Sequence, residues 1–386
     1  MPYSVPDHAH RAAAFSPFRR DGGHAARRPH QVIPRYSFPH GYSVSRLIKG
    51  GWHLAGGHGA IDSGQAVKDM ARFVEAGITT FDCADIYTGV EALIGSFRRA
   101  YPSLAGQVQV HTKFVPDLSE LQTLDRRYVE AVIDQSLTRL GMECLDLVQL
   151  HWWDFALPRY VETALELDRL QRAGKIARLG VTNFDTLHLE ELLAAGVPVV
   201  AHQLQYSLVD DRPRATMVAC CRDHDIALLC YGTVAGGFLS EHWLGRPEPA
   251  AALANRSLIK YKLIIDDFGG WALFQELLTV LADIARKHRS DIASVATRAV
   301  LDLPQVAAAI VGATSAAHLP AHARIDAWRL QTEDRAAIAS VTDRRRGPKG
   351  DVYQLERDRT GRHGAIMKYN SNALALVSRP TTCAPE

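Results

Sequence analysis

Between about residues 45 and 328 the chain repeats one unit about eight times: a short β-branched apolar run, then a longer amphipathic segment. "RLIKGGW" precedes "GQAVKDMARFVEAG", "TTFDCAD" precedes "EALIGSFRRAY", "VQVHTKF" precedes "RRYVEAVIDQSLTRLG", and "LDLVQLHW" precedes "RYVETALELDRLQRAGK". "ARLGVTNF", "VVAHQLQY", "IALLCYGT" and "AAAIVGAT" open the remaining four, and the seventh carries a long insertion before two helical segments. Runs that stay apolar at consecutive positions suit parallel strands covered on both faces. The segments between them carry apolar residues at helical spacing. Gly77, Gly141, Gly174 and Gly196 stand where helices should stop before the next strand. Eight such units in about 300 residues predict an α/β fold, a (β/α)8 TIM barrel. An open doubly wound sheet is the rival, but "GGWHLAGGHG" lacks the GxGxxG spacing of its phosphate turn.

The rest of the composition narrows the partners. With 386 residues and 47% apolar side chains, a large core is available, and a net charge of +2 gives no reason to expect nucleic acid or an anionic membrane surface. No apolar run reaches the roughly 18 residues of a membrane helix. The cysteines Cys83, Cys144, Cys220, Cys221, Cys230 and Cys383 form no CxxC pair, as expected of buried thiols in a reducing compartment, so a cytoplasmic location is expected. Residues 1–33, rich in His, Arg, Pro and Ala, read as a mobile N-terminal arm, and a transit peptide is the minority reading because of Asp7 and Asp21. Residues 34–345 hold the barrel, and 346–386 form a C-terminal extension expected over the substrate pocket. Without heptads or an appended domain, the expectation is a monomer or weak homo-oligomer.

In a barrel of this kind the chemistry sits at the C-terminal ends of the strands. Those ends carry Asp82, Asp85 and Tyr87, then Lys113, then His151 with Trp152 and Trp153, then Thr182 and Asn183, then Gln203, then Tyr231. The set is not a metal cluster, so no metal is expected. It suits proton transfer to a carbonyl oxygen. A tyrosine titrates near about 10 and needs a cation beside it to work near neutral pH. A lysine supplies that charge, a carboxylate fixes the lysine, and a neutral histidine can donate a hydrogen bond to the same oxygen. Each residue has a plainer role available: Asp82 and Lys113 as a structural ion pair, Tyr87 and His151 as core packing, the tryptophans as barrel rim, Gln203 as a strand-stitching amide. Asp85 could replace Asp82.

These segments resemble the aldo-keto reductase superfamily, over roughly Ser45 to Trp328. "FDCADIY" is similar to the family signature in which the catalytic Asp and Tyr stand five positions apart, as Asp82 and Tyr87 do. "VQVHTKF" resembles the strand of the family lysine, Lys113, and "LDLVQLHW" that of its histidine, His151. The resemblance implies hydride transfer between a nicotinamide and a carbonyl or alcohol, with Tyr87 as general acid and base and Lys113 lowering its pKa. It further implies a carboxamide clamp of Thr182, Asn183 and Gln203, and Tyr231 stacked on the nicotinamide. Gly51 and Trp52 would approach the cofactor, the main chain of Gly232, Thr233, Val234 and Gly237 would cradle the pyrophosphate, and Trp52, Trp152 and Trp153 would line the substrate pocket. At the adenosine end stand Gly312, Thr314, Ser315, His318 and His322, where family members often have Arg, Gln or Arg, and a Glu–Asn pair. NADP is favoured slightly over NAD, because main-chain amides and hydroxyls can hold the 2′-phosphate. The thin phosphate site keeps open an NAD-dependent sugar or alcohol dehydrogenase, and a cofactor-sensing regulatory subunit is the more remote reading. The substrate is expected to be a small aldehyde, ketone or sugar.

Overall fold

The apolar runs pair in chain order and close on themselves. A computed structural model describes residues 33–39, 41–56, 59–250 and 252–371. The expected N-terminal arm lies outside the described residues except for Ile33, which is buried, and so does the end of the C-terminal extension beyond residue 371. A hairpin, β1 (Arg35–Ser37) and β2 (Ser43–Ser45), comes first. The barrel strands follow: β3 (Leu47–Gly50), β4 (Thr80–Asp82), β5 (Gln109–Phe114), β6 (Leu147–Leu150), β7 (Leu179–Thr182), β8 (Val199–Gln205), β9 (Ala227–Tyr231) and β10 (Val306–Gly312). All are parallel, and β10 pairs with β3 to complete a closed (β/α)8 barrel.

Local chemistry sets the helices between them. Asp62, Asp125, Asp185, Asn255 and Asp291 each accept a backbone N–H three residues on, so five helices begin on an Asx cap. Gly77, Gly141, Gly174 and Gly196 all take positive φ after a helix, as expected. The last unit departs from expectation. The segment after β10 makes only short turns, Ala316–His318 and Leu319–His322. A longer helix, Thr332–Thr342, packs instead against helix Trp271–His288, where Asp334 binds Lys287 and His288. Helices Arg256–Phe268 and Trp271–His288, bent by 97° at their junction, are apolar because they build a second core outside the barrel. No single helix among the described residues is long and apolar enough to cross a membrane.

The hairpin closes the barrel at the N-terminal ends of its strands. Phe38, Tyr42 and Val44 pack against Ile48, Leu147 and Leu229, and alanines at 201, 227, 307 and 308 leave room for these rings. Tyr42 Oη lies 2.8 Å from His111 Nε2 inside the barrel. Among the described residues this hairpin fills the N-terminal end, so a ligand would approach from the C-terminal mouth.

Helix Val90–Ala100 approaches helix Arg126–Leu140 so closely that a Cβ on Gly95 would stand 2.1 Å from the Arg139 carbonyl oxygen. Gly95→Ala should therefore cost about 1–3 kcal/mol through overpacking, read as a lower urea midpoint. An unchanged midpoint would contradict the close helix contact.

Candidate active site

The barrel register brings four polar side chains into one layer just below the mouth. Asp82 is aligned with Gly50 and His111, Lys113 with Gln149, and Thr182 with Gln203. The Lys113 ammonium donates to Asp82 Oδ1 at 2.9 Å, to Oδ2 at 2.8 Å and to the Cys83 carbonyl at 2.7 Å. Three donors thus meet three acceptors, and the Lys113 and Asp82 side chains are both 5% exposed. Gln203 Nε2 donates to Asp82 Oδ1 at 2.6 Å and to Gln149 Oε1 at 3.3 Å. Asp85 turns away and accepts the backbone amides of Ile86 and Val115, so Asp82 is the carboxylate of the pair.

Tyr87 lies over this layer, with the Lys113 ammonium 4.7 Å from its ring centroid and the Trp52 ring 5.2 Å away. Burial works against the Lys113 charge, but Asp82 and Tyr87 outweigh it and hold the ammonium above the usual lysine value. Lys113 pulls the Tyr87 pKa down, as expected, but burial is the larger influence. Burial raises it, Lys113 pulls it down, Asp82 pushes it up again, and the balance lies above the usual tyrosine value. Tyr87 is therefore a phenol that keeps its proton near neutral pH.

His151 lies beside the same layer. Its Nδ1 is 3.2 Å from the Thr182 carbonyl oxygen. A carbonyl oxygen only accepts, so Nδ1 carries the hydrogen. Burial, reinforced by the Arg357 charge, lowers the imidazole pKa to about 3 and keeps the ring neutral. Nε2 is then a bare acceptor, sealed from solvent and without a partner. With the hydrogen on Nδ1, Nε2 stands as an acceptor; the expected donation to a carbonyl needs the other tautomer.

The other predicted residues divide. Asn183, in the left-handed region at φ 62°, accepts the Tyr231 hydroxyl at 2.8 Å. Thr182, Asn183, Gln203 and Tyr231 therefore stand together at the mouth. Trp153 sets its ring edge-on to His151 at 4.2 Å. Trp152 does not line the pocket: it is fully buried, with Nε1 donating to the Asp154 and Leu157 carbonyls. Gly51 serves the packing of its own loop, since its N–H donates to the Asp82 carbonyl at 2.7 Å and a Cβ there would strike the same oxygen. The Thr233 hydroxyl turns inward to Thr297, leaving only its main chain toward the loop.

That loop is Gly-rich, with Gly232, Ala235, Gly236 and Gly237 all at positive φ, while Val234 is half-buried. The insertion covers it. The Tyr261 ring and hydroxyl lie against Gly232 and Gly236, and the Lys260 ammonium sits 5.1 Å from the Tyr231 ring centroid. At the far end the His53 ring lies against Gly312, Thr314 and His318 are exposed, and Ser315 only caps a single turn. Burial takes the His322 pKa down to about 4, so it brings no charge at neutral pH.

Sequence reasoning missed Gln149, and it set the insertion and the C-terminal stretch over the pocket without singling out Lys260, Tyr261, Tyr353 or Arg357. Gln149 had a signal, a lone amide in the apolar run "LVQLHW" two positions before His151. The other four come from the insertion and the C-terminal segment, where no periodicity marks a direction. Among the described residues no group of three or more His, Cys, Asp or Glu side chains could hold a metal ion.

A closed parallel barrel with Tyr, Lys, Asp and His converging at its C-terminal mouth defines the class, that of NAD(P)H-dependent oxidoreductases acting on carbonyl compounds. A sequence profile of the Aldo/keto reductase family matches residues 46–343, and the chain belongs to that family. It is similar to an aldo-keto reductase of Bacillus subtilis, 26% identical over 78% of this chain and 91% of that protein. It is also similar to flagellar radial spoke protein 5 of Chlamydomonas reinhardtii, 30% identical over 57% of this chain, and it spans about half (49%) of that protein's length. The fold matches that of a glycerol dehydrogenase from Gluconobacter oxydans, with a TM-score of 0.69, 22% identity, and coverage of 82% of this chain and 97% of that one.

Two outcomes follow from the buried pair. Asp82→Asn strands the Lys113 charge and should cost about 3–5 kcal/mol of stability, visible as a lower urea midpoint. Carbonyl reduction should hold a plateau from neutral pH through the ordinary tyrosine range, since the raised Tyr87 pKa keeps its proton. A loss centred near pH 7 would contradict that assignment.

Proposed function

We propose that the chain transfers a hydride between a nicotinamide dinucleotide and a small carbonyl or alcohol, with Tyr87 exchanging the proton. The observation that carries this is the Tyr87 phenol lying over the buried Asp82–Lys113 pair at the C-terminal end of the barrel. The residues present fit the nicotinamide half of such a cofactor. Asn183 Oδ1 and Gln203 Oε1 can accept from a carboxamide, Tyr231 offers a ring face, and His151 Nε2 is a buried acceptor without a partner. Main-chain amides of the Gly232–Gly237 loop suit the pyrophosphate once Tyr261 and Lys260 move aside.

When bound, the nicotinamide supplies or takes the hydride. The chain's own groups do the rest. Tyr87 Oη gives a proton to the oxygen that develops on the reduced carbonyl. The fixed ammonium of Lys113 stabilises the phenolate left behind, and Asp82 with Gln203 holds that ammonium in place. Tyr87 is re-protonated from solvent at the mouth. His151 Nε2 accepts from the product hydroxyl and so orients the alcohol. That role gives specific support to the second reading, a dehydrogenase working on alcohols or sugars. The C-terminal segment covers the pocket, with Tyr353 edge-on to His151 at 5.6 Å.

Among the described residues, Thr314, Ser315, His318 and the neutral His322 give the 2′-phosphate no guanidinium fork, and the cation that shares a cavity with Thr314 and Ser315 is the buried Lys49. Titration of tryptophan fluorescence with NADPH and with NADH should give dissociation constants within about tenfold of each other. Tyr87→Phe should bind cofactor as before and lose at least about 100-fold in turnover. Retained turnover in that variant would overturn the proton-donor assignment, and binding of neither cofactor would overturn the reading as a whole.

A further inference from the structure

The C-terminal segment brings to the mouth a cation that the reaction above does not use. Arg357 ends the short helix Gln354–Arg357. Its Nη2 donates to the Trp152 carbonyl at 3.0 Å and to the Asn183 carbonyl at 2.6 Å. The guanidinium thus bridges the loops after β6 and β7, between His151 and the Asn183 turn. Its Cζ lies 4.2 Å from the Phe155 ring centroid and 5.3 Å from that of Tyr353.

The rest of the guanidinium is unused. Nε and Nη1 are sealed from solvent and have no hydrogen-bond partner. A guanidinium has five N–H donors, so three remain. The adjacent carboxylate cannot serve them. Both oxygens of Glu356 accept from Arg212, which also binds Asp210. Asp185, which faces Arg357 at longer range, caps helix Thr186–Ala194 and binds His188. Lys260 adds a further cation, 5.5 Å from the Tyr353 centroid and 3.9 Å from the already engaged Glu356. The carboxylates near Arg357 are thus already engaged, Asp210 and Glu356 by Arg212, and Asp185 by its helix cap and His188. Burying a charged group without its partner is costly. An aromatic-walled guanidinium with free planar donors is the arrangement that takes a carboxylate.

We propose that Arg357 is the receptor for a carboxylate on the substrate, so that this site acts on aldehydes or ketones that also bear an acid group. The proposal rests on the reductase reading above and names its substrate class. The cofactor's phosphates are the other oxyanion that could come to this mouth. They belong with the loop after β9, however, whereas Arg357 stands on the loops after β6 and β7, beside His151.

The test compares two aldehydes of nearly equal shape, 4-carboxybenzaldehyde and 4-carbamoylbenzaldehyde, with the full chain and its tighter-binding cofactor. The carboxylate should be preferred in kcat/KM by about 30-fold or more, mostly through KM. Arg357→Met should bring that ratio close to one, and Arg357→Lys should leave it intermediate. A bracing role alone would leave the ratio unchanged on substitution. A ratio near one in the unsubstituted protein overturns the proposal, whether or not the variants fold. A variant that loses NADPH affinity while keeping the ratio would assign Arg357 to the cofactor's phosphates and overturn it too. Calorimetry with benzoate and benzamide separates the two levels. If neither aldehyde reacts but benzoate binds more tightly and only with Arg357 present, the reductase reading fails and the receptor stands.

Discussion

A charge pair placed inside a barrel must be complete, or the barrel does not hold it. Lys113 and Asp82 are both almost wholly removed from water. Their mutual attraction offsets that desolvation only because every remaining donor and acceptor finds a partner. The Cys83 carbonyl takes the third ammonium proton, and Gln203 and Gln149 crowd the carboxylate. These contacts need β4, β5, β6 and β8 in one register, which the closed barrel supplies. Tyr87 inherits its chemistry from the same pair. It lies over the ammonium, yet burial and the carboxylate keep its proton on.

The sealed floor gives this layer its direction. The β1–β2 hairpin fills the N-terminal end with Phe38, Tyr42 and Val44, and Tyr42 takes the Nε2 of His111. Polar groups higher in the barrel therefore face one exit. Two later additions shape that exit. Helix Arg256–Phe268 lays Lys260 and Tyr261 over the Tyr231 ring and the glycine loop. The C-terminal segment lays Tyr353 and Arg357 over His151 and the Asn183 turn. On the proposed reading, a dinucleotide enters once the first moves, and the second walls the substrate.

The barrel was legible because its code is local. Apolar runs recur eight times, glycines close four of the helices between them, and each reports on its own neighbourhood. The tetrad was legible because strand ends are fixed points: Asp82, Lys113 and His151 fall at the mouth once the strands are placed. What depended on through-space balance was not legible. The direction of the Tyr87 shift needs the burial of its ring, and the acceptor role of His151 needs the Thr182 carbonyl. Trp152 and Trp153 are neighbours in sequence, yet one is sealed into the rim and the other faces His151. The hairpin was missed although "YSFPHGYSV" carries aromatics on either side of a Pro-His-Gly turn. Arg357 lies in a segment without periodicity, and only its contacts reveal where it stands.

The central claim is that hydride and proton reach one carbonyl at the Tyr87 end of the ion pair. Transfer of label from nicotinamide-deuterated NADPH or NADH to an aldehyde, followed by mass spectrometry of the alcohol, tests it most directly. The account predicts one deuterium on the carbinol carbon, retained when the reaction runs in ordinary water. Alcohol without deuterium, or label lost to solvent, would contradict direct transfer at this site.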